Sequence, residues 1–125
     1  MEKLFLVAAG GAVGSVARYL TGTLVARSGG LPWGTLTVNM LGGFLMGMLI
    51  GTLALRGGAE QERLRLLLGV GFLGGFTTFS AFSLEVANMI ERRDMAGAAV
   101  YSLISVIASV AAVFAGLMLA RRVFA

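Results

Sequence analysis

The chain has 125 residues, 58% of them hydrophobic and 13% charged, and its mean hydropathy of +0.91 lies outside the range of soluble globular domains. It contains no cysteine and no histidine, which excludes disulfides, thiolate or imidazole metal sites, thiol nucleophiles and the usual general base near neutral pH, so no enzyme is inferred. The formal charge of +4 does not point to nucleic acid, because the basic residues stand at the edges of apolar runs and read as interfacial anchors.

Four apolar runs, at about 4–26, 32–55, 65–90 and 96–120, are each long enough to cross ~30 Å of hydrocarbon as a helix. The expected fold is an all-α membrane protein of four transmembrane helices, with residues 1–125 as a single transmembrane domain. The first run has no small-residue cleavage site with a polar region behind it, so it reads as a retained span rather than a signal peptide. The connections at 28–31, 56–63 and 91–95 leave no room for a soluble domain. Lys3, Arg56, Arg63, Arg65, Arg121 and Arg122 fall on one side and Arg27, Arg92 and Arg93 on the other, six against three. That bias favours cytoplasmic termini only mildly and permits insertion both ways, which would allow an antiparallel, dual-topology homodimer.

In the first span, Gly10 and Gly14 begin a pattern of glycines four residues apart that continues with Gly43, Gly47 and Gly51 in the second span and Gly71 and Gly75 in the third. Small residues on one helix face let backbones approach. Any single pair fits packing within one subunit as well as packing between subunits, while the repetition over three helices points to an intersubunit role. Arg18 is the one cation inside the first span. Two placements are open to it: a water-filled vestibule where it draws anions, or snorkelling to the interface. The second span holds Asn39, with Thr37 two residues earlier, and an amide at that depth is costly unless it faces a partner or water.

The third span is poor material for a continuous helix over residues 69–83. Gly74 and Gly75 each cost ~1 kcal/mol relative to alanine, and Thr77 and Thr78 add hydroxyls that compete for backbone bonds. Unwinding near 74–78 is expected, and its free carbonyls would need protein or a polar cavity around them. Such carbonyls make a ready cation site; a merely kinked helix is the plainer alternative. Phe79 and Phe82 share a face if the helix resumes, either as packing or as ring edges presented to an anion. Glu85 is a lone acid with no role evident. On the fourth span, Tyr101, Ser105 and Ser109 recur every four residues and form one polar track, suited to interhelical hydrogen bonding or to a pore of neutral donors in series.

Residues 74–82 read G-G-F-T-T-F-S-A-F, which resembles the G-G-x-T-T-F-S-T-F motif of the Fluc family of fluoride channels, also called CrcB. G-G-A-V-G-S-V-A-R-Y at 10–19, G-T-L-T-V-N-M-L-G at 34–42 and the polar stripe of the fourth span agree in order and position, so the resemblance covers essentially the whole chain. Ala81 departs from the motif, where threonine is usual. The resemblance implies a multi-pass protein of the bacterial inner (plasma) membrane that exports fluoride passively through two pores of an antiparallel homodimer. It implies a structural sodium ion held by the backbone carbonyls of Gly74 and Thr77. It further implies a fluoride path along Phe79, Phe82, Asn39 and Ser80, and it supports a vestibular Arg18. A small multidrug exporter has similar spans but needs a carboxylate within the first span, which 4–26 lacks. A non-transporting assembly subunit is the remaining alternative.

Overall fold

A computed structural model describes residues 1–25, 31–56 and 58–124. The expected end of the first span at Ala26, the flanking Arg27 and most of the first connection lie outside the described residues. Helix α1 (Glu2–Leu24) is followed by α2 (Trp33–Ala54). The third span is composite, with α3 (Ala59–Leu64), a π helix (Arg65–Leu73), the single turn α4 (Gly74–Phe76) and α5 (Phe79–Glu91). Helix α6 (Met95–Phe124) closes the chain. Among the described residues, four helical stretches are long and apolar enough to cross a membrane, the third lying within Ala59–Glu91.

Helices outrun the apolar windows where charges suit their ends. Glu2 stands in the first turn of α1 and Arg121 and Arg122 in the last turn of α6, each favourable to the helix dipole. Helix α3 lies before the apolar run and is laced by pairs three residues apart, Arg63 with Glu60 at 2.8 Å and Arg65 with Glu62 at 2.9 Å. Arg63 also reaches Glu2 at 2.8 Å, which brings the starts of α1 and α3 to the same end of the bundle.

The glycine faces are consumed inside the chain. A Cβ on Gly14 would overlap the Phe72 carbonyl, and one on Gly47 the Val113 carbonyl. Gly10 meets the backbone of residues 67–72, Gly75 that of Gly11, and Gly51 the Ala120 methyl. Helix α1 therefore lies against the π helix and α2 against α6 at backbone distance, so these stripes serve packing within one subunit rather than the expected intersubunit faces. The reason is geometric: four helices with few large buried side chains gain contact only by close approach.

The π helix was not anticipated. Its last turn carries the Gly74 N–H to the Gly69 carbonyl, five residues back, and the wider coil leaves Gly69 and Gly71 buried. Periodicity in hydropathy does not distinguish a π from an α register, although π turns gather near functional sites. At the opposite end of the bundle, α5 stops in a turn through Arg93 at φ 63°, and Asp94 Oδ1 accepts the Gly97 N–H at 2.9 Å to start α6. The cluster Leu36, Met89, Ala98 and Tyr101, joined by Phe82 and Val86, fastens α5 to α2 and α6.

Candidate functional site

The third span breaks at Thr77 and Thr78, the C-terminal edge of the expected 74–78 segment. Thr77 has ψ 157° and Thr78 φ −152° and ψ 122°, both extended. Asn39 holds the break open. Its Oδ1 accepts the Thr78 N–H at 2.9 Å and its Nδ2 donates to the Thr78 carbonyl at 3.0 Å. One amide thus replaces two backbone partners that the missing turn would have supplied. Thr78 Oγ1 accepts the Ala81 N–H at 3.1 Å and lies 3.2 Å from Ser80 Oγ, so it starts α5 as an N-cap.

Two donors are thereby diverted. In a continuous helix the Thr78 N–H would bond to the Gly74 carbonyl and the Ala81 N–H to the Thr77 carbonyl; here they go to Asn39 and to Thr78 Oγ1. The Gly74 and Thr77 carbonyls are released from their helical partners, a donor set of neutral oxygens that suits a hard cation. The neighbouring Gly75 carbonyl instead accepts from Arg18 Nε at 3.1 Å. Among the described residues, no cluster of acidic side chains competes as a metal site.

A cavity of about 430 Å³ opens beside the break. Asn39, Thr77, Thr78, Phe79 and Phe82 line it from one side and Ser105 and Ser109 from α6. The Phe79 and Phe82 rings are tilted with centroids 5.6 Å apart, and Phe82 stands 5.3 Å from the Tyr101 ring. Ser105 is buried and its Oγ has no hydrogen-bond partner among the described residues. A second cavity of about 210 Å³ holds Arg18, Thr35 and Ala81, and Thr78 lines both. The unwound residue is the partition between two hollows.

The expected site residues divide accordingly. Asn39, Phe79, Phe82, Ser105, Ser109 and Thr77 meet at the first cavity, and Arg18 sits in the second, bonded to the Gly75 carbonyl beside the break. Thr37 and Ser80 line neither, although Ser80 lies beside the Thr78 hydroxyl. Tyr101 leaves the expected track. Its hydroxyl donates to Glu85 Oε2 at 3.0 Å, while Thr35 Oγ1 donates to the other carboxylate oxygen. This bridge between α2, α5 and α6 gives Glu85 its place. Thr35 was missed, yet it stands four residues before Asn39 and so on the same helix face. Ala81 serves the cap through its N–H, which needs no hydroxyl.

The family model for the CrcB-like proteins, "Camphor Resistance (CrcB)", matches residues 5–117. The chain belongs to the CrcB family. CrcB relatives of nearly equal length include a protein of Phenylobacterium zucineum, 66% identical over 127 residues covering 100% of both chains. One from Caulobacter sp. (strain K31) is 64% identical over 99% of this chain and 98% of its own. One from Agrobacterium fabrum is 51% identical over 99% of this chain and 100% of its own. Each of the three is named fluoride-specific ion channel FluC. As a CrcB protein with four membrane-spanning stretches, the chain is a multi-pass membrane protein.

Proposed function

We propose that the chain is a fluoride-selective channel of the bacterial inner membrane that lets fluoride leave the cytoplasm by passive conduction. The observation that carries this reading is the break at Thr77–Thr78, opened into a cavity of neutral donors in a chain whose CrcB relatives are named fluoride-specific channels.

Fluoride is small and strongly hydrated, so a path for it must offer donors in series, each favourable enough to replace water and weak enough to release the ion. Asn39 has spent one N–H on Thr78 and keeps a second for the cavity it lines. Ser105 contributes an unpartnered hydroxyl and Ser109 another one step along α6. Phe79 and Phe82 present rings whose positive edges favour an anion without binding it as a charged group would. Arg18, with its remaining guanidinium N–H groups in the second cavity, raises the local concentration of anions at the approach to Thr78.

One chain makes an unfinished pore. Phe79 is 78% exposed while lining the cavity, and Val106 and Val110 on its far side are 58% and 51% exposed. A second copy would supply the absent wall, and the weak charge bias between the two ends suits an antiparallel pair with two pores. The carbonyls of Gly74 and Thr77, freed from their helical donors, would hold a structural sodium ion there, which would supply positive charge to fasten the two broken spans. Fluoride efflux from proteoliposomes, followed with a fluoride electrode under a potassium-ionophore shunt, tests the reading. Rapid efflux is expected in sodium, falling at least about tenfold when a bulky organic cation replaces sodium throughout preparation. No fluoride efflux in sodium refutes the channel, and full efflux in sodium-free solution refutes the sodium site.

A further inference from the structure

The hydroxyls of α6 stop before the cavity does. Ser105 and Ser109 line it, and the next position at the same spacing of four, Val113, lines it too. Val113 Cγ2 lies 3.3 Å from where a Cβ of Gly43 would stand, so this methyl packs on the bare α2 backbone and closes the end of the space toward α2. Val110 from α6 and Met46 from α2 line the cavity as well. None of the three carries a hydrogen-bond donor, and the Gly43 N–H is engaged inside its own helix.

We propose that Val113, with Val110 and Met46, forms an apolar collar that ends the donor series, and that crossing it sets the rate of fluoride passage. The inference rests on the pore reading above. An ion leaving Ser109 toward Val113 loses protein donors before bulk water replaces them, and an apolar constriction resists hydration by dewetting. The collar thus places a barrier beside the last hydroxyl, where a strongly hydrated anion feels it most.

The test is initial fluoride efflux from proteoliposomes bearing wild type, Ser109→Ala, Val113→Thr or Val110→Thr, with folding followed by gel filtration and circular dichroism. Val113→Thr keeps the branched shape and adds a third hydroxyl to the α6 series after Ser105 and Ser109. Efflux about tenfold faster than wild type is expected, the factor gained when one hydrogen bond to an ion lowers the barrier by ~1.4 kcal/mol. Val110→Thr has the same expected direction and covers the case in which Val113→Thr does not fold. Efflux slowed by Ser109→Ala, with the folded threonine variants at or below the wild-type rate, overturns the collar and leaves the pore intact. Wild-type protein that passes no fluoride overturns the pore reading, and the collar with it.

Discussion

Asn39→Ala is expected to abolish the proposed fluoride conduction, with efflux from proteoliposomes falling by at least about two orders of magnitude, a barrier raised by ~2.7 kcal/mol or more. The amide is the partner of both backbone groups of Thr78, and at membrane depth each group left unsatisfied costs ~1–3 kcal/mol. The chain has two ways to recover that loss: closing the break into helix, which withdraws the Gly74 and Thr77 carbonyls and narrows the cavity, or admitting water that competes for the ion. In either case the donor that Asn39 itself offers is gone with the amide. Asn39→Asp separates the contributions, since a carboxylate still accepts the Thr78 N–H but repels the Thr78 carbonyl and an incoming anion. It should therefore keep the bond to the Thr78 N–H that the alanine variant loses and conduct as poorly. Asn39→Ala with wild-type efflux would show that the clasp is irrelevant to conduction.

The second large expected effect is that of Phe82→Ile, with flux lowered by about two orders of magnitude and a modest loss of stability that leaves the helices formed. Phe82 lies between the Phe79 and Tyr101 rings, so its replacement removes two ring contacts, each worth ~0.5–1.5 kcal/mol beyond burial, and the ring edge offered to the ion. A barrier raised by ~2.7 kcal/mol corresponds to about one hundredfold. Phe79→Ile, at an exposed position, should disturb stability less and lower flux by about tenfold. The readout is fluoride efflux beside helix content by circular dichroism. Both variants at wild-type flux would remove the rings from the mechanism and leave them as packing.

The spans were legible because hydrocarbon thickness fixes their length and charges mark their edges; only the helix ends differ, where Glu2, Arg121 and Arg122 suit the dipole and extend the coil past the apolar window. The break was legible as glycine and threonine chemistry and falls at the C-terminal edge of the expected 74–78 segment, where Asn39, distant in sequence, decides which peptide is freed. Ser105 and Ser109 followed from spacing alone. Tyr101 shares their spacing but not their cavity, because a phenol extends far enough to reach Glu85, whose other carboxylate oxygen accepts from Thr35. The glycine stripes marked close approach without naming the partner: Gly14 and Gly47 meet Phe72 and Val113 of the same chain. The π register over Arg65–Leu73 left no trace in residue types, since it concerns which carbonyl each N–H selects.

The most direct measurement is the reversal potential of purified protein in a planar bilayer, with sodium fluoride on one side and sodium chloride on the other. A neutral-donor path too narrow for chloride predicts currents carried by fluoride alone, reversing only at a potential that strongly opposes fluoride movement. Reversal near zero would mean that chloride passes as readily as fluoride, and would contradict the assignment of the Thr77–Thr78 break as a selective fluoride pathway.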